Sequence, residues 1–162
     1  MRPRSRSRTD GGDGTAGVMA DDIVIRDMRD EDVEHVIAVW HASGVARPWN
    51  DPVRDIAFAR RDLHSTILVA ELAGRIVATA MVGEDGHRGW VHYVAADREY
   101  QGRGLGRMMM NAAETFLAKR GVWKVQLLVR GDNAVVKRFY EHLGYHDTGT
   151  TCFQKVIEAT RS

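Results

Sequence analysis

The sequence predicts one mixed α/β domain, a mostly antiparallel twisted sheet flanked by four helices, and three observations predict it. The β-branched runs 66–72 and 75–82 are joined by Ala73-Gly74, which is an antiparallel hairpin signal. Two amphipathic helical patterns, 105–117 and 134–143, are each followed by a glycine, Gly121 and Gly144. The strand-like run Val122 to Val129 separates them, so the meander feeds one right-handed β-α-β crossover. A chain of 162 residues that is 44% hydrophobic suits a single core of this size.

The elements follow in order. Ile23-Val24-Ile25 reads as a short strand. Asp30 then caps a helix whose Val33, Val36, Ile37 and Trp40 fall on one face, with Gly44 as its stop. Arg47-Pro48-Trp49-Asn50 forms a loop, and Asp51 with Pro52 opens a second helix expected to run to about Asp62. After the hairpin, the turn Glu84-Asp85-Gly86-His87-Arg88-Gly89 leads into a third long strand, Trp90 to Ala96. The helix beyond it carries Leu105, Met108, Met109, Ala112, Ala113, Phe116 and Leu117 on one side. Asp132 or Asn133 caps the last helix, on which Val136, Phe139, Tyr140 and Leu143 share a face, and residues 145–157 are expected to return as a final strand. No internal repeat interrupts this order.

Composition excludes several function classes. Residues 1–20 hold Arg2, Arg4, Arg6 and Arg8 among Pro and Ser, then Gly11-Gly12-Asp13-Gly14, a composition expected to be disordered. Setting that tail aside leaves 19 of the 23 Lys and Arg against 20 of the 22 Asp and Glu, so the domain at 21–162 is nearly neutral. A neutral domain has no electrostatic footprint for nucleic acid, and no run approaches the length of a membrane span. Met19, just before the first patterned segment, is a candidate start residue, which the intact mass of the native protein decides. The tail lacks the apolar stretch of a signal peptide, and Cys152 is the only cysteine, so a cytoplasmic address is expected and no internal disulfide can form. The 7 histidines show no ligand spacing, and no metal is expected.

The chemistry concentrates at Gln101-Gly102-Arg103-Gly104-Leu105-Gly106-Arg107. Glycines opening directly into a helix present bare backbone N–H groups and the positive end of the helix dipole, which together suit a phosphate or pyrophosphate. Arg103 and Arg107 can add guanidinium contacts to the same anion. The dinucleotide fingerprint G-x-G-x-x-G fails, because Arg107 stands where its last glycine belongs, and no P-loop occurs in the chain.

This hexapeptide resembles the Q/R-x-x-G-x-G/A motif of the GNAT N-acetyltransferases, and Asn133 to Tyr145 resembles that family's N-x-x-x-x-x-F-Y-x-x-x-G-F/Y segment. The element order is similar to theirs over 23–157, and the 47–52 and 85–89 loops resemble the small bacterial YpeA-type subgroup. The resemblance implies a GNAT fold whose central strands splay, with the pantetheine of acetyl-CoA inserted against the main chain of Val94, Ala95 and Ala96. It further implies pyrophosphate on the main chain of Gly102 to Arg107 and a pantetheine contact from Asn133, which also reads as a plain helix cap. Many family members carry proline a few residues before the glycine loop, where this chain has Arg98.

By the same resemblance an amine attacks the thioester directly while both substrates are bound. The Val94 backbone N–H would receive the developing oxyanion and Tyr140 would protonate the departing sulfur. Some relatives carry a glutamate where this chain has Leu128, so the general base stays open among water, His92, Glu84, Asp85 and His87. Trp49, Asn50 and Asp51, with Glu84, are the candidates for acceptor binding, since an aromatic beside a carboxylate suits a cationic amine. The expected partner is an amine-bearing small molecule or protein, and homodimers are frequent in the superfamily. The competing reading is an acyl-CoA sensor that keeps the phosphate loop and performs no transfer.

Overall fold

The computed structural model describes residues 22–157. The N-terminal tail, and with it the expectation of disorder there, lies outside them. Five strands form one sheet in sequence order: β1 (Ile23–Asp27), β2 (Ser65–Leu72), β3 (Arg75–Glu84), β4 (Gly89–Ala96) and β5 (Val125–Leu127). The first three pairings are antiparallel and β4 to β5 is parallel. The helices are α1 (Val33–Ser43), α2 (Pro52–Ala59), α3 (Leu105–Ala118) and α4 (Ala134–His142). This is the mixed, mostly antiparallel sheet with four helices that the sequence predicts.

Alternation along the strands builds two cores. On β2, Ile67 and Val69 join Val36, Val39, Trp40, Ile56 and Ala59 from α1 and α2 on one face. Leu68, Ala70 and Leu72 join Leu105, Met109, Met110, Ala113 and Leu117 of α3 on the other, with Phe139 and Tyr140 of α4 and Leu143 at its end packed against them. Met110, absent from the predicted stripe, is fully buried because that stripe centres on 105, 109, 113 and 117. A half-buried ion network ties β1 to the start of α1. Arg26 contacts Asp32 at 2.6 Å and Glu71 at 2.7 Å, and the Arg29 N–H donates to Asp32 at 2.8 Å.

The structure corrects four element boundaries. Asp30 begins a 3-10 turn and α1 starts at Val33, because Asp32 turns back onto Arg29 and Arg26. Helix α2 stops at Ala59, whose carbonyl accepts the Ser65 hydroxyl at 2.7 Å, while Asp62 receives the His64 N–H and turns the chain into β2. Strand β5 is shorter than 122–129, since Val122 still closes the α3 terminus by donating to Leu117. Residues 145–157 form no strand. Asp147 accepts the Gly149 N–H in a tight turn with Gly149 at φ 68°, and Phe153, Val156 and Ile157 are left exposed without a core face to alternate onto.

Candidate active site

The site is built where β4 loses its neighbour. Pairing between β4 and β5 covers only Gly89–Val91 with Val125–Leu127, so among the described residues Val94, Ala95 and Ala96 have no strand partner on that side. On the β3 side the ladder skips from Met81↔His92 to Thr79↔Ala95, leaving Ala80 opposite both Tyr93 and Val94. That is a β-bulge, and Tyr93 within it has φ 50°, a left-handed conformation that costs a non-glycine residue about 1–3 kcal/mol. The bulge turns His92 and Tyr93 toward the α1–α2 layer in succession. Tyr93 packs there with Trp40 at 3.9 Å between ring centroids, and its hydroxyl donates to Asp55 at 2.6 Å.

Beyond Ala96, Asp97 caps a short 3-10 turn over Arg98–Tyr100, and the Gln101 side chain donates back to the Ala96 carbonyl at 3.2 Å. These contacts fix the glycine loop to the free end of β4. Gly102 and Gly104 both take positive φ, 77° and 79°, with nothing within 4 Å of where a Cβ would stand. Helix α3 then starts with no acid in its first turn and no capping side chain. By contrast, Asp51 caps α2 through the Arg54 N–H and Asn133 caps α4 through the Val136 N–H. An uncapped, exposed, glycine-built helix start next to two exposed arginines, Arg103 and Arg107, is a fit host for a pyrophosphate. The Arg103 guanidinium lies over the Tyr100 ring, 5.1 Å from its centroid.

The family model described as the Acetyltransferase (GNAT) family matches residues 25–145. The chain belongs to this family.

Solved structures agree on the GNAT fold. An aminoglycoside N-acetyltransferase, AAC(6')-Iy in complex with CoA, superposes with a TM-score of 0.71 at 14% identity, over 83% of this chain and 94% of that one. The PaiA N-acetyltransferase of Thermoplasma acidophilum in complex with coenzyme A gives 0.69 at 20% identity, over 80% and 92%. An acetyltransferase of Trypanosoma brucei gives 0.62 at 25% identity, over 83% and 100%.

The remaining candidates of this GNAT domain fall into three groups. Tyr140, on α4, packs edge-on against Phe139 and Tyr145, with ring centroids 5.0 and 5.8 Å away, and burial pushes its phenol up to about 12. It lines a cavity of about 450 Å³ between β5, α4 and the following segment, which also holds Trp90 and Leu128 but not the glycine loop. Tyr145, which the sequence offers only as a motif end, anchors this corner through its hydroxyl, donating to Glu114 of α3 at 2.7 Å.

His92 is exposed, its ring parallel to Trp90 at 6.2 Å. Desolvation by its surroundings lowers its pKa below 6.5, so its neutral form dominates at pH 7. The carboxylates of the neighbouring turn are poorer bases. Asp85 receives the Arg88 and His87 N–H groups and the Trp90 indole, which hold it at about 2, and Glu84 is lowered by His64 at 2.5 Å and by the Gly86 N–H.

In the 47–52 loop, Asn50 accepts the Arg47 N–H and Asp51 is the α2 cap, so both polar groups serve the turn itself. Trp49 is 68% exposed, and its ring faces Arg130 of the β5–α4 loop at 5.1 Å. The carboxylate that reaches β4 is Asp55, one helical turn beyond Asp51. Sequence reasoning passes over it, because no local motif distinguishes it from an ordinary surface acid of α2.

Proposed function

We propose that this GNAT acyltransferase moves an acetyl group from acetyl-CoA to a primary amine by direct attack while both substrates are bound. The observation that carries the reading is the uncapped glycine entry to α3, fixed to the end of a strand whose partner has diverged. Such a pair offers main-chain donors to a pyrophosphate at one end and to an extended thioester arm beside it. Two structural neighbours are described in complex with CoA and one of them as an aminoglycoside N-acetyltransferase, which supports CoA as the donor's carrier and an amine as acceptor.

In this reading the main chain from Gly102 to Arg107 holds the pyrophosphate, and Val94 to Ala96 align the pantetheine arm. Asn133, whose side-chain oxygen caps α4, flanks that arm. The Val94 N–H receives the charge that develops on the carbonyl oxygen as the amine nitrogen adds to it. The C–S bond then breaks, and the neutral Tyr140 phenol gives its proton to sulfur. His92, neutral at pH 7, accepts the proton that the amine nitrogen must lose. The acceptor enters from the α1–α2 face, where Trp49 and Glu84 flank the approach and Asn50 and Asp51 hold Trp49's loop in shape. Coenzyme thiol release, followed over a panel of polyamines, aminoglycosides, amino acids and peptides, tests this. Amine-dependent release with matching acetylated product is expected. Tight acetyl-CoA binding without release for any amine overturns it in favour of a sensor.

A further inference from the structure

We infer that Thr79 and Trp40 are positioning residues for the acyl transfer, acting through the Tyr93–Val94 peptide; this rests on the proposed use of the Val94 N–H as oxyanion donor. The observation is a continuous polar chain through the core. The Trp40 indole N–H donates to the Thr79 hydroxyl at 2.9 Å, and that hydroxyl donates to the Tyr93 carbonyl at 3.0 Å. Trp40 and Thr79 are both fully buried, and Thr79 is one of only two buried polar or charged residues among those described, the other being Asp32 in the ion network of β1.

Peptide geometry turns this chain into an orienting device. In a trans peptide the C=O and the following N–H lie in one plane and point in opposite directions. A hydroxyl that grips the Tyr93 carbonyl therefore sets the direction of the Val94 N–H, which points away from Thr79 and β3. That is the side on which β5 pairing has stopped at Val91. An ordinary strand needs no side chain to do this, since its ladder holds both groups. Here the bulge has taken Tyr93 and Val94 out of register, and Thr79 supplies the missing constraint.

Tyr93 is also held by its ring and its hydroxyl, through the 3.9 Å stack on Trp40 and the 2.6 Å bond to Asp55. Three independent contacts on one residue account for a left-handed tyrosine in mid-strand where a glycine would be expected. The chain also polarises in one sense, from indole to hydroxyl to carbonyl to N–H, and hydrogen bonds in such a series strengthen one another. Thr79 thus both aims and sharpens the donor, while Trp40 keeps the Thr79 hydrogen aimed at Tyr93 by occupying the hydroxyl's acceptor side.

The test is isotope-edited infrared spectroscopy of [1-13C]acetyl-CoA bound to the full chain, with turnover and acetyl-CoA affinity measured alongside. In the unaltered protein the bound thioester carbonyl stretch should lie below that of free acetyl-CoA. Thr79→Val, which keeps shape and removes the hydroxyl, should return it toward the free value. Turnover should fall about 10-fold, a fraction of the loss for removing a donor outright, while acetyl-CoA affinity stays within about 2-fold. Thr79→Ser should restore both the band and the rate. Asp55→Ala, on the half-buried face of α2, removes the acceptor of the Tyr93 hydroxyl, loosens Tyr93 from its other end and should move the band in the same direction, so the test survives if the core variant does not fold. Unchanged carbonyl bands in the folded variants overturn this inference alone. An unaltered protein that binds acetyl-CoA with an unshifted carbonyl removes Val94 as donor, and one that does not bind it removes the transferase reading as well.

Discussion

Gly106 of α3 and Phe139 of α4 meet so closely that a Cβ on Gly106 would stand 2.9 Å from the ring's Cζ. The glycine that closes the 102–106 loop is thus also the point where the last helix leans on it. Gly106→Ala should force Phe139 and its neighbour Tyr140 outward. We expect destabilisation of about 1–3 kcal/mol, read as a fall of about 2–4 °C in melting temperature per kcal/mol. Unchanged melting would mean the two helices are not coupled here.

Gly104 has a different need. Its φ of 79° excludes a β-branched side chain whatever space surrounds it. Gly104→Val should abolish coenzyme A binding by calorimetry while the protein stays folded by circular dichroism. Retained affinity would remove the loop from the binding site.

Tyr140 should act only in the transition state. Tyr140→Phe should lower kcat by about 10²–10⁴ and leave coenzyme A affinity nearly unchanged. Because burial raises the phenol's pKa to about 12, the proton it gives is present throughout the neutral and moderately alkaline range. The ratio of unaltered to variant kcat should therefore stay flat from pH 6 to about 10, the ordinary tyrosine value. A ratio that shrinks from about pH 9 and is halved by about pH 10 would mean that the phenol ionises near its ordinary value.

Asp32 offers a stability test away from the chemistry. Its carboxylate, 5% exposed and bonded to Arg26, has a pKa below 3.8 in the folded state. A group lowered on folding stabilises fully above its unfolded value, and that contribution is lost as pH falls through the folded one. Denaturant unfolding of Asp32→Ala should show a loss of about 3 kcal/mol at pH 7, with Arg26 left half-buried beside Glu71 alone, and a smaller loss at pH 3. An equal loss at both values would contradict the ionic role.

Much of this was legible in residue order because its causes are local. Asp51-Pro52 is a helix start by its own chemistry, and Gly44 and Gly104 occupy left-handed positions that little else adopts. The glycine loop, the β4 span and the α3 stripe belong to the same class. Tyr93 and Asp55 do not. A bulge is a mismatch of register between β3 and β4, and neither strand announces it, least of all with a tyrosine at φ 50°. Asp55 gains its role from a partner 38 residues away. The expected return strand at 145–157 failed for the converse reason. Its Thr, Cys, Phe and Val favour strands locally, but the Asp147–Gly149 turn and the lack of a facing core outweigh that preference.

Every step proposed for this GNAT chain depends on its binding acetyl-CoA through the glycine loop and the β4 splay. Calorimetric titration of the unaltered protein with acetyl-CoA tests it most directly. Saturable binding with one site per chain is the predicted result, and the absence of binding across the solubility range of the ligand would contradict it.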